Sequence, residues 1–404
     1  MIRDNSPCRH YTVQNDPLVD RLVGQQVKRI ASGVVREVKN IVALFLTGGY
    51  ARGEGSVLVE GDNIIPLGDY DILVISSFPH LHQDFSWLRP LEREFKVQYH
   101  VEVSILWKPL LSFFRNRIYS YEVKFGSRLI FGDSRVLNMI PIGGGHAIDV
   151  GEGYSLMFNR LMGLLKVFDL QFMRESHIEK EQRLHLLFQS IKTVLSCGES
   201  LLLLNHRYHF SYEERLLRLQ QCFRSDFDNL LKLDSSLETD YVKASHFKLK
   251  PRLGMYPEPV DLWFDAKRHV IQTLIYYMMR TGRSTNGSLS ARSDKFIDLF
   301  LNSSKPDFIG FTKFNWNAIS KHDSLKGLNR IKPSCSDIVR ASIFCVALSL
   351  QQDGYINEEF LDKALTLVKG ILPVSSKVDS NTDLKKKWRS VRDSVFQAWT
   401  LVRQ

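Results

Sequence analysis

The sequence is poor in cysteine. Its 404 residues include only five cysteines, which are odd in number, widely spaced and without a Cys-x-x-Cys pair. Disulfide scaffolds and structural zinc sites both need closely organised cysteines, so this scarcity argues against both classes. Such cysteine usage is typical of a protein in a reducing compartment.

Long apolar runs are also missing. The sequence has no stretch of 18 consecutive apolar residues, and its longest candidates, Val270–Met279 and Ala341–Leu350, are short and interrupted by polar residues. Buried helices of soluble proteins often have this pattern. The first residues are polar and of mixed charge, and they show no signal-peptide pattern. We therefore expect a soluble, cytoplasmic protein that has no membrane partner.

Proline and glycine are scarce as well, at 13 and 24 residues, whereas 44% of the residues are hydrophobic. This composition excludes a collagen-like or wholly disordered chain, and the length predicts two or three domains. Lysine and arginine number 54 against 44 acidic residues, a formal net charge of +10. The excess favours a polyanionic partner, namely a nucleotide, a nucleic acid or an anionic lipid, without identifying which.

The N-terminal third alternates predicted helices and strands. Apolar residues at helical spacing cover residues 17–39, and the wholly apolar strand Ile41–Leu46 then runs into a glycine turn. Further strands are predicted at Tyr70–Ser76 and at Lys96–Leu106, where polar and apolar residues alternate. We expect a small α/β domain with a mixed sheet.

Helical patterns dominate the rest of the chain, so the predicted fold class is α+β: the small α/β domain followed by a large all-helical region. The predicted helices cover residues 154–172, 180–204, 212–233, 259–281, 334–351 and 358–371. The predicted domains are residues 1–145, 146–250 and 251–404. The tail, residues 383–404, is a basic amphipathic pattern that predicts a helix packed on its own domain, with membrane or nucleic-acid contact as the alternative.

Three carboxylates form the most informative set of side chains. Asp69 and Asp71 are two residues apart at the start of a predicted strand, so both side chains lie on one face. The apolar run Ile72–Ile75 indicates a buried strand, on which two neighbouring carboxylates repel each other unless a cation lies between them. Glu102 is the candidate third oxygen ligand. The set predicts a catalytic centre holding Mg²⁺, with two ions expected and Mn²⁺ as an alternative.

A glycine turn supplies the complementary half of the predicted site. Gly48 and Gly49 follow the first strand, and a strand–glycine–helix sequence brings backbone N–H groups close to a phosphate. Each pattern alone is common. Their order, in which a strand and Gly-Gly precede a spacer, Asp-x-Asp on a second strand and a later carboxylate, is much more specific.

In this order the residues resemble the nucleotidyltransferase superfamily, which includes DNA polymerase β, kanamycin nucleotidyltransferase and the uridylyltransferase of bacterial nitrogen regulation. The resemblance covers residues 40–106 by motif and residues 107–230 more loosely. It implies that Gly48 and Gly49 contact a nucleoside triphosphate, and that Asp69, Asp71 and Glu102 hold the metals and carry the catalysis.

Two features depart from the family pattern. Asp69 lies 20 positions after Gly49, a longer spacing than is usual for the family, and we expect an extra turn within it around residues 61–66. The third acid is glutamate rather than the commoner aspartate, which changes its reach and keeps its charge. Neither departure removes a ligand.

Several further residues have both a functional and a structural interpretation. Arg52 and Lys124 are candidate ligands of the nucleotide, Arg52 for a phosphate oxygen and Lys124 for the nucleotide or acceptor; a structural role is the alternative for each. Ser211 and Glu214 fit a helix capping box, and Asp133 is predicted to cap a turn. His80 and His82 are predicted to be solvated.

These observations predict a metal-dependent enzyme that transfers a nucleoside monophosphate from an NTP to an acceptor hydroxyl and releases pyrophosphate. ATP is the donor by abundance alone. A small-molecule or protein acceptor is favoured over RNA, because no RNA-binding signature is present and the positive charge is spread along the chain. The alternative is a non-catalytic nucleotide-binding or scaffold protein that retains the fold.

Overall fold

A computed structural model describes residues 10–61, 63–76, 88–109, 113–174, 178–281, 334–370 and 383–403, with single residues at 297 and 301. The fold class is α+β, as predicted. A small mixed sheet lies in the N-terminal part of the chain, and the described residues that follow it are mainly helical. His80 and His82 lie outside the described residues.

The sheet-bearing part begins with a capped helix. Asp16 accepts hydrogen bonds from the first backbone amides of helix α1 (Pro17–Glu37), and Pro17 occupies its first turn, where a missing N–H costs nothing. The elements that follow are β1 (Ile41–Thr47), α2 (Gly48–Ala51), β2 (Val57–Glu60), β3 (Asn63–Pro66), β4 (Tyr70–Ser76), α3 (Leu88–Tyr99), β5 (Val103–Trp107), α4 (Ile118–Gly126) and β6 (Arg128–Gly132).

The four longer strands form one mixed sheet in the order β5-β4-β1-β6. Strand β4 pairs antiparallel with β1 and parallel with β5, and β6 pairs antiparallel with the other side of β1. Strands β2 and β3 form a separate antiparallel hairpin. This hairpin is the extra turn predicted between Gly49 and Asp69.

Each face of the sheet is covered by its own core. Alternation along β4 sends Tyr70, Ile72 and Val74 into a core shared with α1 and α3. Leu73 and Ile75 lie on the opposite face, in a core shared with α4. Because side chains alternate along a strand, the position of a residue on β4 determines which of these two cores its side chain faces.

The predicted strand over Lys96–Leu106 is wrong in its first half. Residues up to Tyr99 belong to α3, whose buried positions Leu88, Leu91 and Phe95 recur at helical spacing. His100 ends this helix with a positive φ of 52°, and the strand begins only at Val103. The alternation was local chance, and the packing of Phe95 against α1 decides for the helix.

The helical region agrees with the prediction for most of its helices, but the helix Leu237–Leu249 was not predicted. Its helices are α5 (Glu152–Val167), α6 (Lys180–Leu204), α7 (Tyr212–Asp226), α8 (Asp228–Leu231), α9 (Leu237–Leu249) and α10 (Pro259–Arg280), followed by Cys335–Ser349, Glu358–Lys369 and Leu384–Arg403. The tail helix buries Trp388, Val391 and Val395 completely, and it packs on the two helices before it. Its apolar stripe therefore lies on its own part of the chain, as predicted.

Helix α6 is long and apolar enough, by length and composition, to cross a membrane. Of its 18-residue apolar window, 83% is buried inside the chain. Core helices pass the same test, so this helix is weak support for a membrane span.

Contacts between backbone positions group the described residues into two compact units. One unit holds the described residues up to Gly153 together with Gly198–Phe227 and Glu238–Pro257, and the other holds Tyr154–Cys197, Asp228–Leu237 and the described residues from Glu258 onwards. These units are defined by contacts and are discontinuous in sequence, whereas the predicted domains are continuous ranges that meet at residues 145 and 250. The predicted division therefore stays a prediction.

Candidate functional site

The glycine turn lies directly against one of the predicted metal ligands. Thr47, the last residue of β1, pairs with Asp71 of β4. Gly48 follows with φ of +72°, a conformation that favours glycine, and a Cβ added there would stand 2.8 Å from the Asp71 Oδ2 atom. The sheet therefore brings Gly48 and Asp71, which are far apart in sequence, into contact that only a glycine permits.

Asp71 is the second residue of β4, and Asp69 lies just before the strand begins at Tyr70. That their side chains share one face stays a prediction from alternation. They have the same parity as Leu73 and Ile75, which contact the core shared with α4. Asp69 is exposed and Asp71 is half-buried. The alternate residue, Tyr70, is buried on the other face, where its hydroxyl donates to Gln26 Oε1 over 2.6 Å.

Glu102 is close to this pair in the backbone, but its carboxylate has another partner. Its carbonyl oxygen accepts a hydrogen bond from the Tyr70 amide over 2.9 Å. The parallel register sets Ser104 beside Asp71, so Glu102 is level with Asp69. The Glu102 side chain is 56% exposed and forms an ion pair with Lys96 at the end of α3.

Within the described ranges, the structure contains no group of three His, Cys, Asp or Glu side chains arranged to hold a metal ion. The Asp71 carboxylate lies against the glycine turn, and Asp69 is two residues before it in the chain. They offer hard oxygen donors of the kind that Mg²⁺ accepts when water and phosphate oxygens complete its shell. The donor chemistry fits such an ion, and the Lys96 ammonium group competes with it for the charge of Glu102.

Arg52 is buried, with its side chain only 4% exposed, and it contacts carboxylates. Its Nε atom is 3.4 Å from Glu54 Oε2, and its Nη1 atom is 3.6 Å from Glu122 Oε2. Burial by itself lowers the pKa of Arg52, but Glu122 opposes this and the pKa is raised. These contacts agree with the structural alternative for Arg52. Its role as a phosphate ligand stays a prediction.

Arg52 belongs to a buried charge network that joins α4, α6 and α7. Arg215 is at its centre and forms ion pairs with both Glu122 and Glu199, while the Tyr208 hydroxyl donates to Glu122 Oε1 over 2.8 Å. Desolvation raises the pKa of Glu122, but Arg52 and Arg215 outweigh it and the pKa is lowered. The carboxylate therefore stays ionised despite its burial.

No pattern in the sequence predicts this network. Glu122 and Arg215 are 93 positions apart, and no local period connects them. The only local hint was the acidic residue Glu54 inside the glycine segment.

The N-cap half of the predicted capping box is confirmed, because Ser211 Oγ accepts from the Glu214 amide over 3.3 Å. The reciprocal half is not formed: the Ser211 amide donates to His209 Nδ1 over 3.2 Å, and the Glu214 carboxylate pairs with Arg218. The cap at Asp133 is confirmed as well.

Lys124 lies on α4 and holds the segment that follows β6. Its Nζ atom donates to the carbonyl oxygens of Ile140 and Ile142 over 2.8 and 2.9 Å. These bonds account for two of its three donors. A contact between Lys124 and the nucleotide or acceptor stays a prediction.

Comparison with protein-family models, with curated proteins and with solved structures finds no match for this chain.

Proposed function

We propose that this chain is a metal-dependent nucleotidyltransferase, which transfers a nucleoside monophosphate from an NTP to an acceptor hydroxyl and releases pyrophosphate. The observation that carries the proposal is the contact between Gly48 and Asp71. A phosphate-binding turn and a pair of metal-binding carboxylates are useful together only if they are adjacent, and the pairing of β1 with β4 makes them so.

The proposed roles follow from the chemistry of each group. Gly48 and Gly49 present backbone N–H groups to the triphosphate. Asp69 and Asp71 hold Mg²⁺, or Mn²⁺ in its place, and Glu102 joins them or positions the acceptor. The ion, when bound, supplies positive charge against the developing negative charge of the phosphates.

The transfer itself is an in-line displacement. The acceptor oxygen forms a bond to the α-phosphorus, and the bond from that phosphorus to the bridging oxygen breaks. The bond's electron pair leaves with pyrophosphate, and the acceptor proton passes to Glu102. The chain's main contribution is to align the two oxygens and to exclude other geometries.

The donor and acceptor are proposed only by class. We propose ATP as the default donor and a small molecule or a protein as the acceptor, with RNA as a less favoured class. We also propose a cytoplasmic location and no membrane partner. The Lys180–Leu204 helix is compatible with this because most of its apolar window is buried.

The test is label transfer from each α-³²P-labelled NTP in the presence of Mg²⁺, with host-cell extract as the acceptor source. The wild type is compared with the double variant Asp69→Asn/Asp71→Asn. A matched control, Glu37→Gln/Glu94→Gln, removes two exposed carboxylates from the helices on the opposite face of the sheet. We expect transfer by the wild type and the control and a loss of at least a hundredfold in the aspartate variant, since the metals carry most of the catalysis.

One observation favours a second candidate function. The ion pair between Glu102 and Lys96 occupies the predicted third ligand, which suits a protein that binds a metal–nucleotide without transferring it. Metal-dependent nucleotide binding with no label transfer from any NTP would support that alternative. Absence of binding would overturn both.

A further inference from the structure

The hairpin that separates the glycine turn from the aspartates is closed at its base by Ser56. The outermost pair of β2 and β3 is Val57 with Pro66. Just outside this pair, the Leu67 amide donates to the Ser56 carbonyl oxygen over 2.9 Å. Leu67 lies two residues before Asp69. The position of Ser56 therefore constrains where the chain enters the segment that carries the aspartates.

The same carbonyl oxygen also accepts a hydrogen bond from the helix of the glycine turn. Tyr50 follows Gly48 and Gly49 in α2, and its hydroxyl donates to the Ser56 carbonyl oxygen over 2.9 Å. Its ring lies against Gly68, where an added Cβ would stand 3.3 Å from Tyr50 Cε2. One peptide group thus connects the turn proposed to bind phosphate with the segment proposed to bind the metal.

A buried lysine from α9 holds Ser56 from the other side. Lys248 Nζ donates to Ser56 Oγ over 2.8 Å, and Ser56 Oγ in turn donates to the Lys248 carbonyl oxygen over 2.6 Å. Ser56 is completely buried and Lys248 is 8% exposed. The Lys248 Nζ atom is also 4.0 Å from the position that a Cβ on Gly68 would take. These bonds join α9 to the base of the hairpin across 192 positions of the chain.

Burial of an ammonium group opposes folding, and an uncharged side chain would fill the same space at a lower cost in free energy. We infer that Lys248 is a positioning residue, which through Ser56 fixes the distance between the glycine turn and Asp69. The inference rests on the proposed function, in which the triphosphate and the metal are bound together. In such a site, a shift of about 1 Å can lower the rate about a hundredfold.

The test uses two variants and two matched controls. Ser56→Ala removes the hydroxyl and keeps the ammonium charge, whereas Lys248→Met removes the charge and keeps most of the side-chain volume. Ser245→Ala removes another buried serine hydroxyl, which donates to the Tyr241 carbonyl oxygen within α9. Lys250→Met removes an exposed lysine directly after the end of α9.

Calorimetric titration of Mg²⁺, with the α,β-methylene analogue of each NTP present, measures binding. We expect about tenfold weaker binding in Ser56→Ala and in Lys248→Met, the typical effect of losing an outer partner of a metal site, and no change in the controls. Because both variants break the same contact, the double variant should lose less than the product of the two single losses.

Label transfer at saturating Mg²⁺ and NTP separates positioning from stability. A contact that only stabilises the fold leaves the kcat of the folded molecules unchanged, whereas we expect kcat to fall about tenfold in both variants. A direct contact between Lys248 and the phosphates would impair Lys248→Met alone.

Wild-type binding and wild-type kcat in Ser56→Ala, with or without impairment of Lys248→Met, would overturn the inference and leave the proposed function intact. A wild type that shows neither Mg²⁺-dependent binding of any analogue nor label transfer would overturn both.

Discussion

Ser211 Oγ donates a hydrogen bond to Glu54 Oε1 over 2.7 Å, joining the loop after the glycine turn to a helix that begins 157 positions later. The amides of Tyr212 and Glu213 donate to the same carboxylate over 3.0 and 3.2 Å. The first amides of a helix have no partner within the helix, and a negative charge there is favourable. Glu54 therefore caps α7 from a distant part of the chain.

This relationship predicts the stability of a pair of variants. Glu54→Gln should lower the free energy of unfolding by about 1–2 kcal/mol through loss of the charge at the helix start, and Ser211→Ala by about 1 kcal/mol. Because the two side chains contact each other, the double variant should lose less than the sum. Denaturant unfolding of the four proteins measures this cycle, and strictly additive losses would show that the contact contributes nothing.

Arg215 is predicted to be the most sensitive member of the buried charge network. Arg215→Met leaves Glu122 and Glu199 without their shared cation in a buried environment, so we expect a loss of about 3–5 kcal/mol in the free energy of unfolding. Arg218→Met, on the same helix, breaks an exposed pair with Glu214 and an exposed hydrogen bond to the Arg207 carbonyl oxygen, and should cost about 1 kcal/mol. Similar losses from the two variants, measured by denaturant unfolding, would contradict this assignment.

The glycine turn offers a comparison between two positions with positive φ. Gly48→Ala adds a Cβ at 2.8 Å from the Asp71 carboxylate, whereas Gly61→Ala, at φ of +59°, meets nothing within 4 Å. In both variants, backbone strain should lower the free energy of unfolding by about 1–2 kcal/mol. Only Gly48→Ala should also lose metal-dependent nucleotide binding. Titration of Mg²⁺ and nucleotide into each variant measures this difference. Equal binding by both would show that the close approach has no functional role.

The ion pair between Lys96 and Glu102 can be opened without disturbing the core. Both side chains are more than half exposed, so Lys96→Met should change the free energy of unfolding by less than about 1 kcal/mol. If Glu102 serves the cation, removing its competing charge should strengthen Mg²⁺ binding by about fivefold, the effect of one charge a few ångströms away in water.

Lys28→Met, which removes an exposed lysine from α1, is the control for the change in net charge. Calorimetric titration of Mg²⁺ in the presence of nucleotide measures all three proteins. Unchanged affinity in Lys96→Met would argue that Glu102 does not act on the ion.

The burial of Lys267 predicts that the free energy of unfolding of its unit depends on pH. Burial lowers its pKa from 10.5 to about 8, although its ammonium group donates to the Leu350 carbonyl oxygen. Between pH 8 and 10.5 the unfolded chain keeps a proton that the folded chain has lost, so the free energy of unfolding rises with pH. We expect a rise of about 2 kcal/mol from pH 7 to 9.5 in the wild type relative to Lys267→Met.

Other groups titrate in the same range, so the informative quantity is the difference between the two proteins at each pH. Denaturant unfolding at pH 7, 8 and 9.5 measures it. A difference that is constant with pH, or that falls as the pH rises, would show that the lysine is not desolvated as its position indicates.

The elements whose causes are local could be predicted from the order of the residues alone. The strand Tyr70–Ser76 and the glycine turn at Gly48 depend on nearby residues, and alternation predicts one face for Asp69 and Asp71. The same local reasoning failed at Lys96–Tyr99. Four residues fit both an alternating strand and the end of a helix, and only the burial of Phe95 against α1 distinguishes the two.

Which side chains become partners depends on how distant elements pack. Glu102 lies beside the aspartates by backbone register, yet its carboxylate pairs with Lys96 because α3 ends there. Arg52 is surrounded by Glu54 and Glu122 and is linked through Glu122 to Arg215, because three distant helical segments meet behind the glycine turn. A buried charge needs an opposite charge within a few ångströms. Which charge that is depends on how distant elements pack, and no local sequence pattern records it.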